Sequence, residues 1–331
     1  MGLRRQIHSW LALALIAWLV PLMASMGAAR AAEGAAGFYI LGSKGSLAGT
    51  MAPPGTYYAN DNYFYSGDAS GSVRLPTSGG ELALGLDATV FASMHTMLHV
   101  PNRNFLGGRL ALGAIVPIIY KDVSADATLN LGGVTIGISE TDKRTAFGDP
   151  VLTAVLGWSS GNLHTTFNTL LNVPIGMYNP GALANAGFNR WAFDTTLAFT
   201  YLDPKVGFEV TVAPGFTFNG ENQDTGYRTG TEFHTEFAVM QHFSPQFAIG
   251  ISGYHYQQVT GDSGTAPAAF KGRVTAIGPA INFNFQLGQL PVSGKAKYLH
   301  EFNAENRLEG GAGLIQFVIP LAGPPGQMPL K

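Results

Sequence analysis

The chain has 331 residues, no cysteine, 43 glycines, 12% charged residues and a formal net charge of -2. That charged fraction is about half the level of a soluble domain, so much of the surface does not face water, and the near-neutral balance argues against nucleic acid, which asks for a basic face. The lack of cysteine excludes disulfides and thiolate chemistry and leaves any metal site only histidine and carboxylates.

The N-terminus carries the three parts of a secretory signal: Arg4 and Arg5, the apolar run Trp10 to Met26, and Ala29-Arg30-Ala31 as a small-x-small cleavage site. Residues 1–31 are therefore expected to be a cleaved signal peptide. The alternative, a retained anchor helix, sits poorly with that cleavage site and with Pro21 in the apolar run. No later stretch is apolar and long enough for a membrane helix, so an exported chain of this kind enters a membrane only as a closed barrel. Residues 32–54 are dominated by Gly, Ala and Pro and show no alternation. Two readings stay open for them: a partial plug in the barrel mouth, or a disordered periplasmic leader.

From Tyr57 onward the pattern is period two, the signature of strands. Tyr57 to Ser66 reads as an outgoing strand. Leu82, Leu84, Leu86, Ala88 and Val90 alternate with Glu81, Ala83, Gly85, Asp87 and Thr89, and Leu110 to Ile118 alternates from Arg109. Pro150 to Trp158 and Leu163 to Ile175 follow, the second with His164 on its polar face. The clearest hairpin runs from Trp191: Trp191, Phe193, Leu197, Phe199 and Tyr201 share one parity, opposite Asp194; after Leu202 to Lys205 the apolar parity passes to Val206, Phe208, Val210 and Val212, opposite Glu209. Phe233, Phe237 and Val239 oppose Glu232, His234 and Glu236. Phe247, Ile249 and Ile251 oppose Ser252, Tyr254 and Tyr256. Ile281, Phe283 and Phe285 oppose Asn282 and Asn284, and Tyr298 and Phe302 oppose Lys295, Lys297 and Glu301. The last strand is expected over Gly311 to Leu321.

A soluble sandwich would turn these apolar faces inward. Two features favour lipid instead. The polar faces are rich in Gly, Ala, Ser and Thr with few charges, as in a crowded lumen, and the connections alternate between short breaks and long polar loops, as in outer-membrane barrels. The fold class predicted is all-β, an antiparallel transmembrane β-barrel over residues 55–321 with a tail at 322–331. Its wall has about 12 strands if Ala127 to Ser139 forms an outer β-ribbon, and about 14 if that segment crosses the membrane with help from Gly37 to Leu41.

Several short motifs, Gly37-Phe38-Tyr39, Pro54-Gly55-Thr56-Tyr57, Phe147-Gly148-Asp149-Pro150 with Gly157-Trp158, and Asn172-Val173-Pro174-Ile175-Gly176-Met177-Tyr178, resemble the outer-membrane family named for the meta-pathway of phenol degradation. The resemblance spans nearly the whole mature chain. It implies a barrel channel in the bacterial outer membrane associated with uptake of hydrophobic compounds, aromatics among them, and it supplies no catalytic or binding residues. The chain departs from the usual barrel end: Phe317 is followed by a Pro-rich tail.

Parity nominates the lining of the lumen and substrate path: Glu81, Asp87, Arg109, His164, Asp194, Glu209, Glu232, His234, Glu236, Tyr254, Tyr256, Lys295 and Lys297, with Glu301, and with Phe91 as an inward aromatic. These groups read either as a network bracing a narrow barrel or as an acidic zone and a hydrogen-bonding aromatic track along a path. Glu232, His234 and Glu236 share one strand face about 6.6 Å apart in turn, too far for one ion, so neither metal nor cofactor is expected. His95 and His99 have helical ligand spacing but precede Pro101 in what reads as a turn. Gly261-Asp262-Ser263-Gly264 echoes a protease nucleophile segment, yet reads as ordinary turn chemistry in an outer loop. Ser252 and His255 have opposite parity and do not meet, which weakens a lipid hydrolase. The expected partners are outer-membrane lipid and a small hydrophobic solute. The function expected is passive uptake of small aromatic or acyl-chain compounds, with a sealed structural barrel as the rival.

Overall fold

The structure, a computed structural model, describes residues 37–74, 81–131, 134–265 and 271–322. The expected signal peptide and nearly all of the tail lie outside the described residues. In chain order the strands are β1 (Gly55–Arg74), β2 (Glu81–Val100), β3 (Asn104–Phe105), β4 (Gly108–Leu131), β5 (Val134–Phe147), β6 (Val151–Ser160), β7 (Leu163–Asn172) and β8 (Ala192–Asp203). They continue as β9 (Phe208–Asn219), β10 (Tyr227–Arg228), β11 (Glu232–Ser244), β12 (Phe247–Gln258), β13 (Ser263–Gly264), β14 (Arg273–Leu287), β15 (Leu290–Glu305) and β16 (Glu309–Ala322).

Every wall pairing is antiparallel, and β1 pairs with both β2 and β16, so the sheet closes. The result is a 12-stranded transmembrane β-barrel. β5 and β6 share one wall position: β4 pairs with β5 through its outer half and with β6 through its inner half. Ala127 faces Ile138 across the β4–β5 ribbon, which settles the strand count at the lower of the two expected values. The β6–β7, β8–β9, β11–β12 and β14–β15 links are tight turns, while 173–191, 220–231 and 259–272 are long and lie at the other end. By the habit of such barrels the short end is periplasmic and the long end is outside.

The face assignment from Trp191 onward is as expected. Phe193 and Phe208 are each 40% exposed on the outer surface, whereas Asp194 and Glu209 are 1% and 0% exposed in the interior. Apolar side chains can line the outside because lipid, not water, meets them there.

On the outer half of β2 the face assignment is reversed. Leu86 and Ala88 are buried inside with Val123 and Tyr254, and Asp87 is exposed on the outer surface. Phe91 also points outward, its ring 4.9 Å from the exposed Phe64. The side chain of Glu81 lies outside what is described. β4 shows the reason. Its outward positions Leu112, Val116 and Ile118 are apolar, but farther up the inward positions Val123, Ala125 and Ala127 become the apolar ones. Above the bilayer the outer face meets water, so apolar residues move to the inside although the backbone alternation is unchanged. His95 and His99 lie within β2 rather than in a turn, accepting or donating hydrogen bonds with Tyr58 and Thr56.

Residues 37–54 form no strand and run inside the barrel. Gly37 lies beside Glu232 at the outer end of β11, and Pro54 leads into β1 at the periplasmic end, so the segment traverses the interior. Turns fold it tightly, with Ser43 N–H donating to Ile40 O and Ala48 N–H to Gly45 O. At Gly42, φ is +85° and an added Cβ would sit 2.8 Å from the Leu299 side chain, so glycine alone suits that bend.

Candidate functional site

Small inward residues leave the room that this segment fills. Ala111, Ala198, Ala213, Ala238 and Ala312 are fully or almost fully buried. Between them stand ionisable groups that bond to the segment along most of its length. Tyr39 Oη donates to Glu236 Oε1 at 2.7 Å. Lys44 Nζ donates to Asn168 Oδ1 at 3.3 Å. Glu209 accepts from Ser46 Oγ at 2.8 Å and from Leu47 N–H at 2.6 Å. Lys295 Nζ donates to Ser46 O at 2.7 Å and Lys297 Nζ to Lys44 O. Near the periplasmic end Gly49 N–H donates to Thr200 Oγ1, Thr166 Oγ1 to Ala48 O, and Arg109 Nη1 to Ala52 O.

Behind these contacts the wall carboxylates are held by their own neighbours. Asp194 accepts from Thr196 Oγ1 at 2.9 Å and Thr217 Oγ1 at 2.7 Å, and pairs with His234 Nε2 at 2.8 Å. Glu209 accepts also from Thr211 Oγ1 and pairs with His242 Nε2 at 2.7 Å. Buried carboxylates survive in such a place because nearly every oxygen has a donor.

Toward the outer end the lining turns phenolic. Glu301 accepts from Tyr65 Oη at 2.8 Å, Tyr254 Oη at 2.6 Å and Gly310 N–H at 2.9 Å. Glu232 accepts from Tyr256 Oη at 2.6 Å and Asn219 Nδ2 at 2.9 Å, and the Arg307 guanidinium stacks over the Tyr256 ring at 4.4 Å. Leu41, Leu86, Val274 and Leu299 pack against these rings. The 173–191 loop is tied down by Asp149, which accepts from Gly176 N–H and Phe188 N–H, both at 2.7 Å, and from Asn172 Nδ2 at 2.9 Å. Asp262 of the Gly-Asp-Ser-Gly stretch holds a loop too, accepting from Tyr227 Oη and Gly230 N–H.

The structure thus brings Asp194, Glu209, Glu232, His234, Glu236, Tyr254, Tyr256, Lys295, Lys297 and Glu301 together around one interior. Arg109 joins them at its periplasmic end. His164 is half-buried at that end too and pairs with Ser159 Oγ at 2.8 Å. Asp87 stands apart on the outer surface. Sequence reading missed His242, which continues the parity of Glu232, His234 and Glu236 and was legible by extending that strand. It also missed Tyr65, hidden because Tyr63, Phe64 and Tyr65 are aromatic on both faces, and Tyr39 and Ser46, for which no periodic signal exists.

A family model described as "Putative MetA-pathway of phenol degradation" matches residues 72–317. Among solved structures, an outer-membrane channel of the COG4313 group from Pseudomonas putida F1 matches with a TM-score of 0.62 and 16% identity, over 81% of this chain and 96% of that one. A Pseudomonas aeruginosa FadL homologue matches at a TM-score of 0.41 and 10% identity, over 84% of this chain and 91% of that one. No curated protein matches by sequence.

Proposed function

This chain belongs to the family described by the MetA-pathway of phenol degradation, and from that premise we propose that it is a bacterial outer-membrane channel for passive uptake of small hydrophobic compounds, aromatic or acyl-chain. Residues 1–31 serve as the cleaved export signal in this reading, and no chemical step or cofactor is involved. The observation that carries it is the separable occupant of the interior. Residues 37–54 touch the wall through non-covalent, mostly polar bonds, including those from Lys295, Lys297 and Arg109 and those to Glu209 and Glu236. Moving that plug uncovers a passage whose lower part is polar and whose outer part is lined by tyrosines and aliphatics. Such a surface suits a mostly apolar solute with one or two polar atoms.

Two measurements test the reading. In planar bilayers, low conductance through the wild-type protein should rise when Glu209 and Glu236 are both changed to Ala, which unfastens the plug at two points. In cells, a radiolabelled monoaromatic supplied at low concentration should enter faster when the outer membrane carries this protein. Equal entry with and without it, together with no conductance from either form, would establish a sealed structural barrel instead.

A further inference from the structure

Besides Tyr227 in the outer loops, four phenol groups among the described residues donate to buried carboxylates in the outer part of the interior, and three of them, Tyr65, Tyr254 and Tyr256, belong to wall strands. The fourth belongs to the plug. Tyr39 is 6% exposed, its ring lies flat on the His234 imidazole with centroids 3.7 Å apart and planes 13° from parallel, and its hydroxyl donates to Glu236 Oε1. The stacked imidazole and the carboxylate that takes the hydroxyl both come from β11, Leu41 and Tyr254 belong to the apolar cluster around the ring, and Asp194 fixes the imidazole through Nε2. Glu236 Oε2 and His234 Nδ1, both buried, have no partner among the described residues, so the site still offers polar atoms to a ligand.

A tyrosine side chain is p-cresol on a tether, so the wall here already holds a small phenol. We propose that His234 and Glu236 form a binding site for free hydroxylated monoaromatics, that such a compound competes with Tyr39 for it, and that its binding frees the plug. This rests on the channel reading above for its purpose, but the site stands on its own geometry. Recognition has two parts: the imidazole face takes the ring by stacking, and the carboxylate selects a hydroxyl, since a ring without one leaves a buried acceptor unsatisfied. Tethering gives Tyr39 an effective concentration on the order of millimolar, so a free phenol displaces it only near that level. Removing the tethered ring removes the competitor.

Titration calorimetry on the purified full chain in detergent tests this with p-cresol and with toluene, which lacks the hydroxyl. The Tyr39→Ala protein should bind one p-cresol, and toluene about ten- to a hundredfold more weakly, the ratio one hydrogen bond to a carboxylate supports. Adding Glu236→Ala should erase that preference. Equal binding of both probes, or a preference that survives Glu236→Ala, overturns the site. Should Tyr39→Ala fail to fold, Ala48→Cys in the otherwise cysteine-free wild-type chain reports on the plug. Millimolar p-cresol should then speed maleimide labelling about tenfold over toluene, by the same ratio, and identical rates overturn the proposal. Neither assay involves transport. A protein that prefers p-cresol but passes no aromatic keeps the site and ends the channel reading, and a conducting protein with no such preference ends the site alone.

Discussion

The β8–β12 wall and the β2–β4–β5 ribbon obey the same backbone alternation and put opposite chemistry on their outer faces. Phe193, Leu197 and Phe199 look outward on β8 and Asp194 looks in, while on the outer half of β2 Leu86 looks in and Asp87 looks out. β4 contains both regimes, with lipid-facing Val116 and Ile118 below and interior-facing Val123 above. Alternation reports that two faces differ. Which one is oily on the outside depends on whether lipid or water lies beyond it at that height.

The largest effect expected from this contrast is all-or-none. With no cysteine in the native chain, Asp87→Cys in a liposome should react at once with a water-soluble maleimide and Val116→Cys only after unfolding. Rapid reaction at both positions would mean that the β4 band does not meet lipid. Next in size, Leu197→Arg puts a charge into that band and should destabilise the barrel by about 2–4 kcal/mol in denaturant unfolding from bilayers, the cost near a midplane. A change below about 0.5 kcal/mol, usual for an open surface, would place β8 outside the membrane.

Glu209→Ala comes third. It removes the carboxylate that Ser46, Leu47, Thr211 and His242 share, and the same unfolding experiment should show a loss of about 1–3 kcal/mol. Faster protease cutting within residues 37–54 should accompany it, and an uncut plug would show that its other anchors suffice. Smallest is Lys143→Ala on the ribbon. Its ion pair with Asp122 is 2.7 Å long but the lysine is 62% exposed, so solvent screening should leave the unfolding midpoint of Lys143→Ala indistinguishable from that of the wild type.

The wall itself was legible because a strand writes its two faces into adjacent letters. From Leu163 onward the parity and the short turns follow from residues near one another, and Glu232, His234 and Glu236 fall inward together for that reason; the strand read as Leu163 to Ile175 ends earlier, at Asn172. Asp87 and Phe91 were misplaced because the same apolar run, Leu82 to Val90, fits lipid outside or a core inside equally well. His242 was missed because the inward parity of Glu232, His234 and Glu236 was not followed to the end of its strand.

Period two, the lack of any long apolar stretch after residue 31 and the alternation of short and long connections determined from the sequence alone that this chain closes into an antiparallel barrel. Tertiary structure alone decided what fills it. The bonds that seat residues 37–54 join positions far apart along the chain, 197 residues between Tyr39 and Glu236 and 163 between Ser46 and Glu209, and an irregular segment carries no repeat by which to foresee them. The identity of a face is likewise a property of the medium around it, and that is set only once all the strands have taken their heights in the wall.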